Sequence, residues 1–78
     1  MSIEQTVKEV FNKVLDVAPE EIKPDVKLDK AFGVDSTEMV EISVSLKKRL
    51  GVAIGDNEIK KTHSFNEIVE ILKSKGAK

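Results

Sequence analysis

Gly33-Val34-Asp35-Ser36-Thr37-Glu38-Met39-Val40-Glu41-Ile42 is a glycine break followed at once by a helix start. Asp35 has an N-capping side chain, and Glu38 stands three residues later, at capping-box spacing. The helix this predicts runs from Ser36 or Thr37 to Leu50, with Met39, Val40, Ile42, Val44, Leu46 and Leu50 on a broad apolar face. Lys47, Lys48 and Arg49 fall in its last turn, where cations complement the helix dipole, and Gly51 follows as a stop. If Asp35 is the cap, Ser36 takes the first helical position with its hydroxyl free of capping duty. Backbone N–H groups there lack intrahelical partners and the helix end is partly positive, a setting that tolerates a covalently attached phosphate. The plainer reading, a serine that merely belongs to a helix start, stands beside this one.

Catalysis has little support around that serine. A serine nucleophile needs a base within hydrogen-bond reach. The sole histidine, His63, precedes the last helical segment and reads as a polar loop residue. Gly33 stands alone, without a glycine-rich phosphate cradle. The glutamates are scattered over solvated helix faces, so no carboxylate pair is set up for acid–base work. Asp56-Asn57-Glu58 lacks the length, spacing and glycine of a calcium loop, and the chain has no cysteine. No catalytic residue and no metal site are expected. Ser36 reads as a residue modified by another protein rather than as a nucleophile, and the chain as something other than an enzyme.

Working outward, Ser2 and Gln5 open a first helix with capping-box spacing. Ile3, Val7, Val10, Phe11, Val14 and Leu15 give it one apolar face, and Ala18-Pro19 ends the segment. From about Pro19 to Val34 a long connection keeps Ile22, Val26, Leu28, Phe32 and Val34 as apolar anchors, with a short helical turn around Pro19-Glu20-Glu21-Ile22. Beyond Gly51, Val52-Ala53-Ile54 reads as buried loop and Asp56-Asn57-Glu58-Ile59-Lys60-Lys61 as a short helix. Ser64 and Glu67 repeat the capping-box spacing, and Phe65, Ile68, Val69 and Leu72 mark the last helix. The predicted fold is all-α: a small bundle of three longer helices plus one short helix, with a long anchored loop between the first two.

The 78 residues fit a single domain, 1–78, too small to build a deep enzyme cleft and its scaffold. Thirteen basic and fourteen acidic side chains nearly cancel, to a net charge of −1. That balance excludes the phosphate-neutralising surface of a nucleic-acid binder, and without Trp or Tyr there are no stacking platforms for bases. No apolar run is long enough to span a membrane, and the N-terminus lacks the basic and apolar regions of a signal peptide. With no cysteine, a reducing, cytoplasmic setting is expected, and a monomer.

The stretch 33–42 resembles the acyl carrier protein signature, Gly-x-Asp-Ser-Leu-(Asp/Glu)-x-Val-Glu-(Leu/Ile). The resemblance extends to Ile3-Glu4 and Val7-Lys8, to Glu20-Glu21-Ile22, and to Ile54 and Ile59. It implies 4′-phosphopantetheine on Ser36, installed from coenzyme A by a phosphopantetheinyl transferase that uses magnesium. It implies acyl groups held as thioesters, presented to acyl-transferring, condensing or ligating enzymes of fatty-acid, lipid or secondary-metabolite synthesis. Leu46, Ile54, Ile59 and Ile68 become candidates to line an acyl cavity, though plain core packing uses the same residues. Asp35, Thr37, Glu38, Glu41 and Lys48 become the partner-binding candidates. Two departures stand out. Thr37 replaces the family's usual leucine, and Asp35, Glu38 and Glu41 are balanced by Lys47, Lys48 and Arg49 where the family's helix is normally acidic throughout. Dipole complementarity and altered partner choice both account for the second, the latter marking a specialised carrier. An aminoacyl or peptidyl carrier, and an unmodified helical interaction module, remain as alternatives.

Overall fold

The computed structural model describes residues 2–55 and 58–76. Among them four α-helices follow one another: α1 (Ile3–Leu15), α2 (Leu28–Phe32), α3 (Ser36–Leu50) and α4 (Phe65–Ser74), with a 3-10 turn at Pro19–Glu21. Among the described residues there is no strand, only an isolated antiparallel bridge between Lys27 and Ser64. Three longer helices and one short one form the bundle, as the periodicity predicts. The short helix, however, is α2, inside the long connection. Residues 58–61 make turns instead of the expected helix, and Asp56 and Asn57 lie outside the described residues.

Each longer helix starts where its capping side chain dictates. Ser2 Oγ accepts from the Gln5 N–H at 3.1 Å in α1, and Ser64 Oγ accepts from the Glu67 N–H at 3.3 Å in α4. Glu67 closes the reciprocal half of its box, accepting from the Ser64 N–H at 2.8 Å. α1 ends at Leu15, earlier than the proline suggests, because Asp16 turns left-handed (φ 56°). α3 ends on Gly51 (φ 66°), whose N–H donates to the Lys47 carbonyl at 2.9 Å.

α1 packs against both α3 and α4 and supplies the centre of the core. Val7, Val10 and Phe11 are fully buried with Ile42 and Leu46 of α3 and Ile68 and Leu72 of α4. Phe11 meets Phe65 edge to face, ring centroids 6.0 Å apart, a contact worth about 0.5–1.5 kcal/mol beyond the area it buries. The apolar face of α3 is narrower than its sequence indicates. Met39, Ile42 and Leu46 are buried, but Val40 is 63% and Val44 42% exposed. Those two valines sit at the edge of the packed face, where they line open grooves.

Ile22, Leu28 and Val34 anchor the long connection in the core, whereas Val26 is 37% exposed and anchors nothing. Polar bonds then clamp the same segment to the start of α4. The Leu28 N–H donates to the His63 carbonyl, the Asp29 N–H to the Lys61 carbonyl and the Asn66 N–H to the Pro24 carbonyl, at 3.0, 3.0 and 3.1 Å. Lys27 Nζ adds an ion pair to Glu67 Oε1 at 2.6 Å. The Lys27 ammonium first, and the Ser64 N–H second, hold the Glu67 carboxyl down to about 2. Its folded pKa lies below its unfolded one, so the stabilisation is present above the ordinary value of 4.5 and is lost as pH falls through about 2. Both side chains are nearly half exposed, so water screens the pair and the gain is modest. Acid titration followed by NMR is expected to show the Glu67 carboxyl protonating well below its ordinary value of 4.5, and Glu67→Gln to flatten the fall in stability between these pH values.

α2 ends on Gly33 (φ 64°), three residues before Ser36. A Cβ there would meet nothing within 4 Å, so only backbone strain opposes a side chain. Gly33→Ala is expected to lower stability by about 1–2 kcal/mol, the left-handed penalty for an L-residue, measured as a shift in the urea midpoint.

Candidate functional site

Ser36 is the first residue of α3, and the capping box decides what surrounds it. Asp35 Oδ1 accepts from the Glu38 N–H at 2.8 Å, and Glu38 Oε1 accepts from the Asp35 N–H at 3.1 Å. The Met39 N–H is bound to the Asp35 carbonyl at 3.1 Å. The first-turn donors still without an acceptor among the described residues are the N–H groups of Ser36 and Thr37. Ser36 is itself exposed, and its hydroxyl makes no hydrogen bond to a described residue. On either side of this exposed step the chain is pinned, by Val34 and Met39, both buried.

Beside Ser36 lies an open groove of about 310 Å³. α3 contributes Ser36, Met39, Val40 and Ser43, and the connection before α4 contributes Ile59, Lys60, Lys61 and Thr62. Met39 and Ser43 stand three and seven residues from Ser36, on the same helix face, and so were readable from helical spacing. The wall at residues 59–62 was not, because tertiary hydrogen bonds bring it there. Of the four cavity candidates, Ile59 alone lines this groove. Leu46, Ile54 and Ile68 are buried in the core cluster.

The partner-binding candidates Asp35, Thr37, Glu41 and Lys48 are exposed, and Glu38 is half-buried by its capping role. Lys48 stands about 18 Å from Ser36 along the helix axis, so the set spans the whole of α3 rather than one spot. His63 Nδ1 accepts from the Lys60 N–H at 3.0 Å, which ties the ring to its own loop. Among the described residues no group of three or more His, Cys, Asp or Glu could hold a metal ion. No helix of the described residues is long and apolar enough to cross a membrane.

A small helical bundle that displays a serine hydroxyl at a helix start, at the rim of a groove, has the build of a carrier domain. The family model for the phosphopantetheine attachment site matches residues 5–72. The acyl carrier protein of Campylobacter hominis is 31% identical over 74 residues, covering 95% of this chain and 94% of its own. That of Wolinella succinogenes is 31% identical over 74 residues, covering 95% and 97%. That of Campylobacter fetus subsp. fetus is 32% identical over 72 residues, covering 92% and 94%. The chain belongs to the phosphopantetheine-attachment family, and a covalently attached 4′-phosphopantetheine is its prosthetic group. The structure fits such a group: an exposed hydroxyl and two neighbouring N–H donors with no hydrogen-bond partner among the described residues, and a groove at their side.

Proposed function

We propose that this chain is a non-catalytic acyl carrier and that Ser36 bears the arm. The observation that carries the assignment is the division of labour at the start of α3. Asp35 and Glu38 satisfy each other's backbone N–H and leave Ser36 nothing to cap. The N–H groups of Ser36 and Thr37, at the positive end of the helix dipole, are placed to donate to a phosphate esterified on the Ser36 hydroxyl. When bound, the arm's terminal thiol supplies the thioester linkage that holds an acyl group. Met39, Val40 and Ile59 offer apolar surface along the groove, and Ser43 and Thr62 offer hydroxyls. The acyl class of cargo is supported by the names of the relatives.

The exposed stripe of α3 is the surface we assign to partner enzymes. On a 3.6-residue period Thr37, Val40, Glu41, Val44 and Lys48 share one side of the helix, and all five are exposed. The partners would be a phosphopantetheinyl transferase and acyl-transferring, condensing or ligating enzymes, met in the cytoplasm. Asp35, Glu38 and Glu41 favour a basic surface close to the partner's active-site entrance, while Lys48 disfavours basic charge further along. Incubating the chain with coenzyme A, magnesium and a broad-specificity transferase tests the assignment by intact mass. A gain of one phosphopantetheine is expected. No gain, where a control carrier is fully loaded, would overturn it.

A further inference from the structure

α3 carries its charges in two blocks. Asp35 caps it, Glu38 and Glu41 occupy its first half, and Lys47, Lys48 and Arg49 its last turn. Among the described residues Arg49 is held by Glu9 at 2.8 Å, but neither Glu41, Lys47 nor Lys48 enters an ion pair. Nor does the helix compensate them internally. The positions three and four residues before Lys47 and Lys48 are Ser43, Val44 and Ser45, where helical ion-pair partners would stand. Between Glu41 and Lys48, on the same side, lies the exposed Val44, and the exposed Val40 stands just before Glu41. From Glu41 through Val44 to Lys48 the stripe thus reads acidic, apolar, basic.

Such an order is complementary to its own reverse. We propose that α3 is a self-pairing face, on which two copies of this chain associate antiparallel about a twofold axis passing beside Val44. The axis sets Val44 against Val44 of the second copy. It brings Glu41 of each chain opposite Lys48 of the other, giving two equivalent ion pairs, as an isologous interface requires. Val40 then lies along the aliphatic stem of Lys48 from the second copy. With 15 residues, α3 is about 22 Å long. A contact one helix wide on that length falls short of the roughly 1,200 Å² buried in stable complexes. The pair is therefore weak, salt-sensitive and formed at high concentration. It rests on reading the α3 stripe as a docking face but needs no modification of Ser36. Its consequence is competition, because a paired carrier has its Val40, Glu41 and Val44 surface covered.

The test is an NMR dilution series on the unmodified chain at low salt, from about 2 mM to about 0.05 mM, which brackets a Kd of about 1 mM. Amide shifts of Val40, Glu41, Val44 and Lys48 are expected to move with concentration. The movement is expected to vanish near 1 M salt, where the screening length is about 3 Å. Glu41→Lys alone and Lys48→Glu alone are each expected to abolish it, since each sets like charges across the axis. Their 1:1 mixture is expected to restore it, since both pairs are again opposite in sign. Circular dichroism of each variant confirms that the helices persist. Shifts that do not move with concentration overturn the proposal and leave the face to a different partner. Movement that survives both single variants, or a mixture that fails to recover it, overturns it equally. Loading of Ser36, read by mass on the wild-type chain, stays a separate result, so failure of self-pairing and failure of the carrier assignment are told apart.

Discussion

Ser36→Ala is expected to abolish the mass gain of one phosphopantetheine completely while leaving the fold intact. Both halves follow from the capping box. The Ser36 hydroxyl is bonded to no described residue, and Asp35 and Glu38 perform the capping, so its removal should change stability by less than about 0.5 kcal/mol. Loading, in contrast, has no second route if this oxygen is the attachment point. Asp35→Ala provides the opposite pattern. It removes the acceptor of the Glu38 N–H, should lower stability by about 1 kcal/mol, and frees the first turn in which Ser36 is held, so loading should slow without vanishing. Intact mass with time and a urea titration separate the two variants. A Ser36→Ala chain that still gains the mass would place the arm elsewhere.

Phe11→Ala is expected to unfold the domain at room temperature. Phe11 is fully buried, and it meets Phe65 edge to face at the centre of the core. Truncating a buried phenylalanine removes about 3–5 kcal/mol, which equals the roughly 3–5 kcal/mol that a core of this size supplies. Far-UV circular dichroism should show most helical signal lost without denaturant. Phe11→Leu conserves much of the volume and should retain a cooperative melt, displaced by a smaller amount. A cooperative Phe11→Ala melt close to wild type would mean that α1 is not the centre of the bundle.

The helix starts were legible because they are local. Ser2, Asp35 and Ser64 announce their caps in the residues that follow, and all three cap in the structure. The uncapped, exposed position of Ser36 was legible for the same reason, since it depends on the residue before it and the residue two after it. What escaped depends on distant partners. The five residues of α2 are too few for periodicity to register, and tertiary bonds to Lys61 and His63 hold its start. Residues 58–61 contain helix-compatible side chains, yet those same bonds engage the Lys61 and His63 carbonyls with α2. Val40 and Val44 were assigned to the core because apolar residues recur on α3 over more than one face. The bundle has neighbours for only one of those faces, which is visible only once α1 is seen packed against α3.

The clamp between the long connection and the start of α4 closes a mechanical loop. One wall of the groove at Ser36 includes Lys61, whose carbonyl is held by the Asp29 N–H. Asp29 belongs to α2, and α2 ends on Gly33, three residues from Ser36. Outward movement of the Lys61 wall would therefore pull on the Asp29 bond, and through it on the segment leading into Ser36. The Asp29 amide, on the far side of that wall, becomes a gauge of what the groove contains. If a bound acyl chain were to push that wall outward, exchange of the Asp29 amide with solvent should quicken.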